Sequence, residues 1–335
     1  MNYYWLHQLL RVMVMAVLFI WPPGLLSGLA ETAYVSAATN APWEGNGSKE
    51  NPYKISNVQE LFAFNERWEE FQEEKEEQGE EVYFELTADI VVDDVYKDKW
   101  QPIGDDTNPF KGTINGNGHK IKNLIIDRSG LNNVGLFGYV EGGTIQNVGL
   151  EDVDVYGKEN VGILVGYIKG GTITNAYAKG NVEGGTRVGG LVGYNESGTV
   201  EYTYATGDVK GVHADSVAVG GLVGMSHGGT ISNSYATGNV KGADKIAVGG
   251  LVGSNLYGGI DNSYATGNVE GGTHVGGLVG YYYEAAITNS YATGSVTGTS
   301  MNIGGLVGNS DGGVIITNSY ATGNVIGKER VGGLV

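Results

Sequence analysis

The sequence predicts an all-β parallel β-helix, a β-solenoid of about 28-residue coils with one N-terminal amphipathic capping helix. Three observations carry this expectation. A Gly-Gly-Leu-Val-Gly block or a close variant ends at Gly138, Gly166, Gly193, Gly224, Gly253, Gly280 and Gly308. A unit repeated in this way cannot bury its own apolar face, whereas identical neighbours stacked on it can. The later copies continue into Thr-Ile-x-Asn-Ser-Tyr-Ala-Thr-Gly-Asn-Val, where Ile231, Asn233 and Tyr235 share a parity, as do Ile260, Asn262 and Tyr264. Finally, 58 glycines with only 6 prolines and no three-residue period imply many tight turns and exclude collagen.

The chain divides into three parts. Residues 1–38 read as a signal peptide: Arg11 precedes an apolar run from Val12 to Trp21, Pro22-Pro23-Gly24 breaks it, and Ala30 or Ala37-Ala38 offers a cleavage site. The run is too short to span a bilayer comfortably. Secretion follows, with no membrane contact after cleavage. Residues 39–133 are expected to hold the cap and the first, irregular coils. Ser56 and Gln59 suggest a capping box, and Val58, Leu61, Phe62, Trp68 and Phe71 fall on one helical face. The carboxylates from Glu69 to Glu77 read as its solvated side rather than a metal site. Such a helix suits a lid over the unpaired edge of a first coil. Strands are expected at Val82 to Leu86, around Ile90 to Val92, and on either side of the turn Asn115-Gly116-Asn117-Gly118.

Residues 134–335 are the repeats proper and stop in mid-motif at Val335, as though truncated, so further domains are expected beyond it. Roughly three strands of about five residues fit each coil, and coils stack about 4.8 Å apart. In that stack Asn175, Asn233, Asn262, Asn289 and Asn318 form a structural ladder, their amides bonding coil to coil in a buried turn. Tyr177, Tyr204, Tyr235, Tyr264, Tyr291 and Tyr320 form a second column, read either as aromatic packing or as a sugar-stacking platform.

Chemistry is looked for where the repeat breaks, because a catalytic group is needed once while a structural one recurs. The recurring residues are Gly, Val, Leu, Ile, Asn and Tyr, and Asp152, Asp154, Glu196, Glu201, Asp208, Asp215, Asp261 and Asp311 keep no register. No catalytic residue is assigned. His119, His213, His227 and His274 are scattered and there is no cysteine, so neither a metal nor another cofactor is expected. A formal charge of −17 argues against a nucleic-acid partner. Binding is expected on the variable linkers, with His213 and Asp215, and on Tyr281, Tyr282 and Tyr283, which interrupt the glycine pattern. The rival reading has these tyrosines packing on the neighbouring coil.

In Gly190-Leu191-Val192-Gly193 and its copies the chain resembles the GLUG-repeat family of bacterial surface proteins. Asn51-Pro52-Tyr53, Leu86-Thr87-Ala88-Asp89-Ile90, Trp100-Gln101-Pro102-Ile103-Gly104 and Gly116-Asn117-Gly118-His119 resemble the segment that leads into such repeats. The resemblance implies an extracellular solenoid, found in adhesin-like proteins and in the non-catalytic regions of immunoglobulin A peptidases. The function expected is a non-catalytic secreted or cell-surface module, an adhesin-like stalk, with a host or cell-wall glycan or protein as partner. The alternatives are a carbohydrate-active β-helix enzyme, or the non-catalytic part of a larger surface peptidase.

Overall fold

Among the described residues four parallel sheets of ten, nine, thirteen and seven strands run along the molecule, each strand bonded to its copies in adjoining coils. The computed structural model describes residues 44–212, 218–243 and 247–335. The expected signal peptide, His213 and Asp215 lie outside the described residues. Each coil crosses an isoleucine face (Thr172–Thr174, Thr199–Glu201, Thr230–Ser232), then a tyrosine face (Tyr177–Lys179, Tyr204–Ala205, Tyr235–Ala236). It continues along a valine face, one long strand at Val182–Gly189 and two short ones at Val209–Gly211 and Ala218–Gly220. It closes on a Leu-Val-Gly face (Val192–Glu196, Val223–His227, Val252–Leu256). The solenoid is thus as expected, but its coils are cut into four or five short segments instead of about three.

The extra corners have a local cause. Asn175, Asn233, Asn262, Asn289 and Asn318 all hold φ between 46° and 52°. This left-handed conformation is one that asparagine tolerates better than most residues. The corner reverses the expected parity: Ile231 and Ala236 point inward, and Tyr235 points out. A second corner falls at Ala-Thr-Gly, as anticipated. There a Cβ on Gly180, Gly207, Gly238, Gly267, Gly294 or Gly323 would stand 1.6–1.9 Å from a carbonyl oxygen of the coil before, so only glycine fits.

In-register stacking lines the interior with like residues. Ile231 pairs with Ile260 and Ile260 with Ile287, Ala236 with Ala265, Val240 with Val269, and Val223 with Val252, all at most 1% exposed. Each such side chain leaves water almost completely, worth about 1.5–3 kcal/mol for a valine- or leucine-sized group.

The helix α1 spans Val58–Glu77. Its cap is Asn57, not Ser56: Asn57 Oδ1 accepts from the Glu60 backbone at 3.0 Å, and the Glu60 carboxylate reaches back to the Ser56 N–H at 2.7 Å. Phe64, Trp68 and Phe71 enter a ring cluster with Tyr53, Phe84 and Phe110. Buried Gln72 fastens the helix to the loop beyond, donating to Pro109 O at 3.0 Å and accepting from Lys111 N at 2.8 Å. The Leu-Val-Gly face begins only at Phe137. In the coils before it, this aromatic cluster under α1 supplies the apolar burial.

Candidate binding surface

The polar residues of the repeat divide into those inside and those outside. Inside, the serine of Asn-Ser-Tyr builds a ladder that the sequence reading passed over. Thr203 N donates to Ser234 Oγ at 3.1 Å, Ser234 N to Ser263 Oγ at 3.2 Å, Ser263 N to Ser290 Oγ at 3.1 Å and Ser290 N to Ser319 Oγ at 3.1 Å. Each serine hydroxyl then donates to the carbonyl two residues earlier, as Ser263 does to Asp261 O at 2.7 Å. The signal was present, since a small hydroxyl residue followed every corner asparagine in four copies.

The asparagines lie outside. Asn175, Asn262, Asn289 and Asn318 are exposed and Asn233 half-buried, which corrects the expectation of a buried ladder. Amide-to-amide bonds join Asn262 to Asn233 at 2.6 Å and Asn318 to Asn289 at 3.3 Å. Asn289 also donates to Asp261 at 3.0 Å. The asparagine is needed for its backbone, and water can satisfy the amide.

Several acidic residues also act as rungs between coils. Asp208 accepts from Asn239 N at 2.9 Å, and Asp154 from Asn181 N at 3.2 Å. Glu151 accepts from Lys122 at 2.8 Å and from Lys179 and the Tyr177 hydroxyl at 3.1 Å. The Lys122 and Lys179 bonds hold its pKa down at about 2. Among the described residues no group of three His, Asp or Glu side chains is placed to hold a metal ion.

The six tyrosines of the second column stack with centroids 4.8–5.1 Å apart and planes within 5°. A sugar needs an uncovered ring face, and every interior member has both faces occupied by its neighbours. This geometry fits the packing reading of the column.

Tyr281, Tyr282 and Tyr283 separate. Tyr282 is fully buried, so it leaves the expected binding surface: its strand turns it inward, where its hydroxyl donates to Gly258 O at 3.3 Å. It stands beside Asn255, in a column that also holds Asn195 and Ser226, all fully buried. Burial pushes the Tyr282 phenol well above its usual range. Asn195 shows what this buried polar column does, its Oδ1 accepting from Gly198 N at 3.0 Å and fixing the next corner.

Tyr281 and Tyr283 point outward. Tyr281 donates to Asp311 at 3.1 Å and lies 5.6 Å from the His274 ring. Burial lowers the His274 pKa, with Asp311 opposing, so the imidazole favours its neutral form. Tyr283 meets Tyr257 edge-on at 5.2 Å and 82°, and Tyr257 meets His227 at 5.5 Å and 86°. Glu284 raises the Tyr283 phenol to about 12. Tyr257 is 53% exposed and takes a left-handed corner held in sister coils by Gly170 and Gly228. Its neighbours stand edge-on, so this cluster leaves aromatic surface open, unlike the stacked column. Nothing in the sequence flagged Tyr257, because only the fold brings it to Tyr283 and His227.

Comparison with known proteins agrees with this architecture. The model of the GLUG motif matches residues 184–210, 215–241, 246–270, 271–297 and 299–326. Halomucin of Haloquadratum walsbyi is 36% identical over 137 residues, 38% of this chain and 1% of that protein. A candidate Gly-rich membrane protein of Evansella cellulosilytica is 38% identical over 111 residues, 32% of this chain and 12% of that protein. The chain therefore spans only a small part of the length of these relatives. Among solved structures, a candidate immunoglobulin A1 protease from Bacteroides ovatus superposes with a TM-score of 0.56 at 24% identity, covering 87% of this chain and 86% of that one. An IgA1 protease does so with 0.55 at 19%, covering 84% of this chain and 21% of that one. At such identities the likeness is one of fold. Five successive copies of the GLUG motif are thus wound into one parallel β-solenoid.

Proposed function

We propose that this chain is a non-catalytic secreted or cell-surface module, an adhesin-like stalk whose outer side chains bind a host or cell-wall glycan or protein. One observation carries the reading: the residues that recur from coil to coil are engaged in stacking, bonding or turning the chain. What is left for a partner is the surface where the repeat breaks, as it does around Tyr257, Tyr281 and Tyr283. Exposed aromatic rings with carboxylates at their rims suit a partner that offers both an apolar face and hydrogen-bond donors. The relatives support a surface role by their kind. The solved IgA1 protease, of which this chain covers 21%, favours a second reading, the non-catalytic part of a larger surface peptidase.

The test is fractionation of a bacterium expressing the full tagged chain, followed by incubation of the purified protein with polysaccharides. The chain should be recovered from medium or cell surface and leave the polysaccharides intact. Retention in the cytoplasm overturns the surface assignment, and cleavage of any polysaccharide overturns the non-catalytic one.

A further inference from the structure

A recess of about 590 Å³ lies where the first irregular coils meet the repeats, away from the Tyr257 cluster. Its floor continues the isoleucine face. There Tyr83, Thr113, Thr144, Thr172, Thr199 and Thr230 fall in one register column. Threonines are short, so half-buried Tyr83 stands above Thr113 and Thr144 as an end wall. Gln146 lines one flank, and Glu81, Glu141, Lys49 and Lys111 line the rest. Gly142 keeps the rim low: it holds φ +71°, and a Cβ there would meet nothing within 4 Å.

From this placement we infer that the recess is a binding subsite for a neutral oligosaccharide, which rests on the glycan-binding reading above and gives it a ligand class and a second location. Three features select that ligand class. An aromatic wall above a hydroxyl floor matches a sugar ring, which presents C–H groups on its faces and hydroxyls around its edge. Two lysines and two glutamates balance in charge, so a uronate would meet Glu81 and Glu141 as repelling neighbours and a polyamine would meet Lys49 and Lys111. The walls are also partly preorganised: Glu81 accepts from the Tyr83 hydroxyl at 2.9 Å and from Thr113 at 2.6 Å, while Lys169 holds Glu141 at 2.8 Å. The Gln146 amide and the Lys49 ammonium have no side-chain partner among the described residues and supply the donors that ring hydroxyls need.

The test titrates the full chain with neutral trisaccharides of β-1,4-linked glucose, α-1,4-linked glucose and β-1,4-linked N-acetylglucosamine, and with a galacturonate trimer, read by saturation-transfer NMR and calorimetry. At least one neutral trimer should bind. Tyr83→Ala and Gln146→Ala should each weaken it tenfold or more, and Tyr283→Ala should not. Gln146 is a surface side chain, so its variant tests the site even if Tyr83→Ala fails to fold. The inference is overturned if no neutral trimer binds, if only the galacturonate trimer does, or if Tyr283→Ala abolishes binding that Gln146→Ala leaves intact. Cleavage of a bound trimer would overturn the non-catalytic reading while leaving the subsite in place, so the two fail separately.

Discussion

Removing one hydroxyl from the interior, by Ser263→Ala, should loosen a single junction between coils. Ser263 Oγ accepts from Ser234 N at 3.2 Å and donates to Asp261 O at 2.7 Å, in a side chain with no exposure. Asp261 O keeps another donor, the Asn233 N–H at 3.1 Å, so its loss is small. Ser234 N loses the acceptor that stacking provides, and a buried orphan donor costs about 1–3 kcal/mol. About 2 kcal/mol corresponds to roughly 30-fold more frequent opening of that junction. Stability in a solenoid is a sum of nearest-neighbour terms, so the sensitive readout is local. Hydrogen exchange followed by mass spectrometry should show Ser234 exchanging roughly 30-fold faster while amides several coils away hold their rates. Ser263→Thr should keep the protection, because Thr203 occupies the same column and retains the hydroxyl. Unchanged exchange at Ser234, or equal loss in the threonine variant, would refute the hydroxyl ladder as the fastening.

Three other perturbations address the corners and the charge network. Gly267→Ala places a methyl 1.8 Å from Gly238 O, a contact only backbone movement relieves, and should cost about 3 kcal/mol or more; a denaturation midpoint equal to wild type would count against the close approach. At the exposed corner, Asn262→Leu should lose roughly 1–2 kcal/mol through its left-handed φ, while Asn262→Gly should stay within about 0.5 kcal/mol; equal losses would show that the amide matters more than the backbone. Glu151 has a depressed folded pKa, so its stabilisation is complete above the ordinary glutamate range and is lost as pH falls towards about 2. Urea midpoints measured from pH 6 to pH 2 should fall less steeply for Glu151→Gln than for wild type, and parallel curves would dismiss the Lys122–Glu151–Lys179 network.

The 28-residue period and strand-type alternation were enough to fix the parallel stack, because like residues meet only if copies lie in register. They could not fix the number of strands per coil. That number depends on where the backbone turns left-handed, and asparagine in a polar stretch reads equally well as a hydrogen-bonding rung or as a corner. Stacking was therefore legible at Asn289 and Asn318, and their exposure was not. The same ambiguity hid the serine ladder, since a serine beside a turn ordinarily faces water. Tyr282 shows the opposite difficulty: a run of three tyrosines looks exposed in sequence, yet strand geometry must send the middle one to the other side.

Repetition also governs where a partner can be held. A side chain copied from coil to coil is covered by its own copies 4.8 Å away, as the phenol column shows, and the best-repeated surface is the least available for recognition. Ligand-sized openings must then coincide with a change of residue within a column. Two such changes frame the surfaces described above. Tyr83 heads a column whose next five members are threonines, which leaves a step as tall as an aromatic ring. Tyr257 takes a corner that Gly170 and Gly228 hold in sister coils, and thereby projects a ring beside Tyr283 instead of stacking under a copy of itself. The solenoid supplies rigidity through its sameness, and any specificity it has must come from these departures.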